Sequence, residues 1–291
     1  MSTVTLKQVG LKPLPQTGGT NVVLLPAGTP VVVDPTWVQV SALGHTGWLH
    51  SADTGPAVIP PPAGVQPVGV PGVWGLKFED EFNTGLLDPT KWTPNWLGGP
   101  GQVTPPVNST YETACYDPAQ VMVSNSMLIL TATAKPQTIN GKVYPFSSGM
   151  VQSSGKFNFT YGCFEARIWL PAGAGMWPAF WTDGQTWPQD GEIDVLEASG
   201  TDASCSYHYH YPGGGPGGNS TVVGSTAGWH TYAAVWEPWV ITWYYDGKPV
   251  WQYTTGITSS PQYLILNLGL DSAQSAVPAT MRVDYVRVWQ H

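Results

Sequence analysis

Charged side chains are scarce in this sequence: Asp, Glu, Lys and Arg make up only 10% of 291 residues. Cations are scarcest, with 11 Lys and Arg against 19 Asp and Glu, for a net charge of −8. A chain this poor in basic residues builds no cationic patch, which excludes nucleic acid and an anionic membrane surface as natural partners. No apolar run approaches the roughly 20 residues that a bilayer-spanning helix requires. Only three cysteines are present, Cys115, Cys163 and Cys205. They cannot all pair within the chain and their spacing fits no zinc motif, so free structural thiols are expected. Met1 to Gly10 lacks the basic and apolar regions of a secretory leader. An extracellular location, expected from the chemistry below, then implies a removed leader, another export route or carriage on a phage particle.

What is abundant is turn-forming and aromatic. With 34 glycines and 28 prolines, more than a fifth of the chain favours turns over long helices. Between the turns, Thr, Val, Tyr and Trp dominate, and these are strand formers. An all-β protein is expected. Fifteen tryptophans and thirteen tyrosines exceed the needs of one core. Aromatic faces pack against the C–H faces of sugar rings, so about half are assigned to carbohydrate contact and half to core filling.

The chain reads as three parts. Residues 1–54 carry short strand-like runs at Asn21–Leu25, Pro30–Asp34, Trp37–Ser41 and Thr46–Ser51, the pattern of a small β-barrel or sandwich. The order Gly28-Thr29-Pro30-Val31-Val32-Val33, Trp37-Val38-Gln39-Val40, Gly47-Trp48-Leu49-His50 resembles bacterial Src-homology-3-like (SH3-like) domains. That resemblance implies a cell-wall or glycan ligand, with a ligand-free spacer as the alternative. Residues 55–72, with Pro60-Pro61-Pro62, read as an extended linker. Residues 73–291 are strand-rich throughout, and a two-sheet antiparallel sandwich is the expected way to bury so many short strands. Expected strands include Met127–Ala132, Cys163–Trp169, Trp229–Trp236, Tyr263–Leu268 and Met281–Trp289. Asp246-Gly247 marks a tight hairpin, and the Gly213–Gly218 run is read as a loop.

Against this sparse charge, Gly191-Glu192-Ile193-Asp194-Val195-Leu196-Glu197 stands out. Alternation along a strand places Glu192 and Asp194 on one face, roughly 6.6 Å apart along the backbone. Glu197 falls on the opposite face of a regular strand, but one extra residue, a β-bulge, returns it to the same side. Ile193 and either Val195 or Leu196 then face the core. Three mutually repelling acids on one face point to acid/base chemistry; an exposed charged edge is the structural alternative.

The stretch matches E-[hydrophobic]-D-x-x-E, and with it residues 74–291 resemble glycoside hydrolase family 16. Further matches are Phe78-Glu79-Asp80-Glu81-Phe82-Asn83, Tyr161-Gly162-Cys163-Phe164-Glu165-Ala166-Arg167, Met176-Trp177-Pro178-Ala179-Phe180-Trp181, Leu264-Ile265-Leu266-Asn267 and Met281-Arg282-Val283-Asp284-Tyr285. The resemblance implies a concanavalin-like β-jelly roll and retaining endo-hydrolysis of a β-linked polysaccharide. Glu192 would be the nucleophile, Glu197 the general acid/base, and Asp194 the residue that tunes both. Retaining chemistry needs two carboxyls about 5–5.5 Å apart, one ionised and one protonated. Crowded carboxylates raise one another's pKa, which is expected to keep Glu197 protonated beside an ionised Glu192. Six residues from first to last Glu mark the bulged, laminarinase-like branch, so β-1,3- or mixed β-1,3/1,4-glucan is the expected substrate. A β-galactan substrate, transglycosylation and a non-catalytic glycan-binding role are the alternatives.

Secondary candidates follow. Trp177, Trp181 and Trp187 precede the acids and are candidate sugar subsites, with core packing as the alternative. His208 and His210 share one strand face, and the resemblance assigns His210 a hydrogen bond near the acids. A zinc pair is the rival reading, short of an evident third ligand. Asn267 either points into the cleft or caps a ladder. Asp284, in the last strand, is implied as a structural calcium ligand; an ion pair with Arg282 or Arg287 is the alternative. No cofactor is expected for catalysis, and a monomer is expected.

Overall fold

The computed structural model describes residues 64–198, 204–212 and 226–291 in full, together with the backbone of the strands Thr3–Thr5, Pro30–Val32, Trp37–Ala42, His45–His50 and Gly215–Val223. Two compact units are present: Met1–Gln66 with Val70–Leu76 and His291, and Pro67–Gly69 with Lys77–Gln290. In the first, Trp37–Ala42 and His45–His50 form an antiparallel hairpin, and Thr3–Thr5 pairs with Pro30–Val32. Among the described residues these are two separate two-stranded ladders, so a closed barrel is not described. The expected Asn21–Leu25 strand and residues 55–63 of the expected linker lie outside the described residues. Near the end of that linker, Val68 N donates to Glu165 Oε2 at 2.9 Å. Gly69, at φ 67°, lies against Gly247 so closely that a Cβ there would sit 2.1 Å from its carbonyl oxygen.

The second unit is the expected all-β sandwich. A six-stranded sheet runs Met150–Gln152, Tyr263–Leu270, Met176–Asp183, Glu192–Ala198, Ser204–Tyr211, Gly215–Val223. An eight-stranded sheet backs it, centred on Gly162–Trp169, Trp229–Glu237 and Ala279–Gln290. The alternating residues of both sheets meet in one core that includes Phe164, Ile168, Phe180, Trp236, Trp243 and Leu266. The expected hairpin forms at Asp246-Gly247, whose φ values of 47° and 71° suit a tight turn between Val240–Tyr245 and Lys248–Tyr253.

One expectation is corrected. The glycine-rich run is not all loop: Gly215–Val223 is a strand paired with Ser204–Tyr211, Tyr211 opposite Gly215 and Ser204 opposite Val223. A ladder needs only backbone groups, and this strand lies at the sheet's edge, where a proline is tolerated.

Candidate active site

The acid strand starts at a glycine that has no substitute. Gly191 holds φ 77°, and a Cβ there would meet the His210 carbonyl oxygen at 3.1 Å. From it the strand Glu192–Ala198 runs between two antiparallel neighbours, with Asp183 opposite Glu192, Trp181 opposite Asp194 and Ala179 opposite Glu197. On one side Phe180 pairs with Leu196 and Trp181 with Asp194, so Val195 is the extra residue. On the other side Asp194 faces His208 and Glu197 faces Ser206, three positions matched against two. That is the bulge the acid spacing requires. It lets Ile193, Val195 and Leu196 all enter the core while Glu192, Asp194 and Glu197 all line the cleft. The two candidates for the core-facing position are thus both buried.

The cleft has a volume of about 440 Å³ and is lined by Trp96, Trp177, Trp181 and Trp187, the carboxylates of Glu112, Asp183, Glu192, Asp194 and Glu197, the imidazoles of His208 and His210, and Asn108 and Asn267. No Lys or Arg lines it among the described residues. Every sequence-predicted cleft residue is therefore brought to one place. Trp177 Nε1 donates to Glu197 Oε1 at 2.9 Å, and the exposed Trp187 donates from Nε1 to Glu192 Oε2 at 2.7 Å. His208 Nδ1 makes a close ion-pair contact with Glu197 Oε2, and His210 Nε2 lies 3.4 Å from Asp194 Oδ2. Both histidines thus reach acids, while Tyr207 and Tyr209, the alternate residues, are fully buried in the core.

Burial, followed by the charge of Asp194, pushes the Glu192 carboxyl well above the usual range. Burial and then the charge of Glu197 do the same to Asp194, which is only 2% exposed. Asp194 Oδ2 has no hydrogen bond of its own to a fixed donor. Burial thus works against the ionised Glu192 expected from sequence, because it favours the neutral form of that carboxyl.

Four residues in or behind the cleft that the sequence reading left unmarked bear on its chemistry. Asp183 sits opposite Glu192 and is raised to about 7, chiefly by burial. Trp96 stacks on Trp181 with centroids 5.8 Å apart. Glu112 and Tyr116 end a buried relay: Trp181 Nε1 donates to Asn267 Oδ1 at 2.8 Å, Asn267 Nδ2 to Tyr116 Oη at 2.9 Å, and Tyr116 Oη to Glu112 Oε2 at 2.5 Å. Their signal, an acid and a tyrosine four positions apart before the first long strand, is too common to single out.

Asp284 lies elsewhere, on the eight-stranded sheet. Its Oδ2 takes Arg167 Nη1 at 2.8 Å, a partner not anticipated from sequence. A calcium ion needs six to eight oxygen ligands. This carboxylate is committed to a guanidinium and belongs to neither group of acids and histidines close enough to share an ion. With one of its two oxygens held by Arg167, the side chain offers a calcium ion at most one more. The three cysteines are free and buried, as expected of structural thiols.

Comparison with known proteins gives a consistent result. The family model described as Glycosyl hydrolases family 16 matches residues 108–286. A beta-glucanase of Rhodothermus marinus is 32% identical over 256 residues, covering 75% of this chain and 85% of the relative. An endo-1,3-1,4-beta-glycanase, ExsH, of Rhizobium meliloti is 31% identical over 244 residues, and there the match covers 73% of this chain but only 51% of the relative. The solved endo-beta-1,3-glucanase of Pyrococcus furiosus superposes with a TM-score of 0.66 at 28% identity, covering 75% of this chain and 94% of that one.

Proposed function

Because this chain belongs to glycosyl hydrolase family 16, we propose that it is an endo-acting β-1,3- or mixed β-1,3/1,4-glucanase that works with retention through a covalent glycosyl-enzyme. The observation that carries the mechanism is the bulge that places Glu192, Asp194 and Glu197 on the cleft face, between tryptophans that suit sugar rings. The names of the relatives support the substrate class.

Glu192 attacks the anomeric carbon while Glu197 gives a proton to the departing glycosidic oxygen; Glu197 then takes a proton from the water that releases the sugar. Asp194, buried in the row between the two glutamates, tunes both. The indole of Trp187 supplies Glu192 with a donor, and Trp177 with His208 fixes Glu197. Trp177 and Trp181 present their rings as subsites, the second held by Trp96 and the Asn267 relay. The first unit, through its SH3-like resemblance, is proposed to anchor the enzyme to wall peptide or glycan.

Glu192→Ala tests the assignment. Hydrolysis of laminarin is expected to fall on the order of 10³-fold or more, and azide with an activated β-glucoside is expected to restore turnover and give the α-glycosyl azide. Retained hydrolysis, or rescue yielding only the β-azide, rules out Glu192 as nucleophile. Parallel assays on lichenan, agarose and xyloglucan decide the glycan; activity on agarose alone replaces the glucan with a β-galactan.

A further inference from the structure

From the geometry around Asp194 we infer that Glu192, Asp194 and His210 form a binding site for one divalent transition-metal ion of the zinc type, which blocks the cleft when it binds. The donor atoms of these three residues lie within 4.8 Å of one another. His210 Nε2 and Asp194 Oδ2 are 3.4 Å apart. A tetrahedral zinc ion with bonds of about 2.0–2.2 Å places its donors roughly 3.4 Å from each other, so this edge needs no rearrangement. One imidazole and two carboxylates suit zinc or copper better than calcium or magnesium, which take oxygen alone. With three protein ligands, the fourth position stays open to water.

Two independent observations point the same way. Asp194 is 2% exposed, and its Oδ2, the oxygen facing His210, has no hydrogen-bond partner. A buried carboxylate oxygen without a donor favours a cation. The field around it agrees: five carboxylates line the cleft and no Lys or Arg does, among the described residues. A second trio, Asp194, Glu197 and His208, shares Asp194 and so excludes a second ion. It is the poorer host, because both oxygens of Glu197 are engaged, by Trp177 and by His208, whereas Glu192 accepts from Trp187 at Oε2 alone. Sequence offered a histidine pair without a third ligand; the fold supplies the acids by pairing Glu192 with His210 and Asp194 with His208 across two strands.

An ion held there occupies both carboxylates. The inhibition this implies rests on the glycosidase reading above; the binding does not. Calorimetric titration of the chelator-washed, full-length protein with zinc chloride is expected to show one saturable site per chain. His210→Gln and Asp194→Asn are each expected to weaken it at least about tenfold, the scale for losing one ligand of three, and His208→Gln to keep it within about threefold. Melting curves identify any variant that does not fold, leaving the other to decide. Absence of a saturable site overturns the inference. So does undiminished uptake by the folded variants, or loss in His208→Gln with retention in His210→Gln. In assays at low substrate, zinc at ten times its dissociation constant is expected to slow laminarin hydrolysis about elevenfold by competition; zinc uptake without inhibition overturns the placement in the cleft. If EDTA-treated enzyme hydrolyses no glucan at all, the glycosidase reading falls while the titration still reports on the metal.

Discussion

Asp183 is the side chain whose behaviour departs furthest from its bland place in the sequence. It lies opposite Glu192, 5% exposed, with one carboxylate oxygen unpartnered. Burial raises its pKa from 3.8 to about 7, so the folded protein keeps a proton that the unfolded chain releases. The stability this adds is present in full below pH 4 and is lost as pH rises through 7; at about 1.4 kcal/mol per unit, the loss is at most about 4 kcal/mol. Asp183→Asn is therefore expected to match the parent at pH 4 and exceed its unfolding free energy by about 2–4 kcal/mol at pH 8. Denaturant titrations at pH 4, 6 and 8 measure this; a gap that does not grow with pH contradicts it. The acids of the motif were legible because three carboxylates in six positions are rare in so uncharged a chain. Asp183 was not, because a single acid ending an aromatic strand looks like a solvated terminus until its neighbours close over it.

A bulge frees backbone groups that a regular ladder would pair, so something else has to pair them. Here Trp243, fully buried on the opposite sheet, donates from Nε1 to the carbonyl oxygen of Asp194 at 2.8 Å. The catalytic spacing is thus fixed from behind, through the core. Trp243→Phe keeps most of the packing but removes this donor, at a cost of about 1–3 kcal/mol for an unsatisfied carbonyl. The expected outcome is a lowered melting temperature and a kcat that falls more than KM rises, since the acids move while the subsites stay. An unchanged kcat would mean that the bulge holds itself. From sequence the bulge was legible by parity alone, because Glu197 had to return to the cleft side. Its clamp was not: Trp243 and Asp194 are joined only by the way the two sheets stack. The Trp181–Asn267–Tyr116–Glu112 relay was hidden for the same reason, its middle link joining Asn267 to Tyr116, 151 positions apart.

For the whole molecule, strand periodicity and turn residues suffice to read the sandwich, because its strands alternate and its hairpins carry their own signals. They fail where side chains say little, as in Gly215–Val223, whose pairing is written in backbone alone. The motif segments outside the cleft turn out to tie the sandwich together. Asp80 accepts from Trp92 Nε1 at 2.8 Å, and Glu81 grips Arg287 with both oxygens, at 2.7 and 2.9 Å. With Asp284 held by Arg167, chelation with EDTA is expected to leave the melting temperature unchanged. A fall of several degrees on chelation, reversed by calcium, would restore the ion there.

The five-carboxylate lining of the cleft also acts as a filter on polymers. A neutral glucan enters it without regard to salt, whereas a sulfated or carboxylated chain meets whichever of those carboxyls are ionised, with no Lys or Arg in the described lining to offset them. Hydrolysis of laminarin is expected to vary little from 10 to 500 mM NaCl. Cleavage of carboxymethylated β-1,3-glucan is expected to be slow at low ionic strength and to rise with salt. Among polysaccharides this disfavours the sulfated galactans and uronate gels and leaves the uncharged storage and wall glucans.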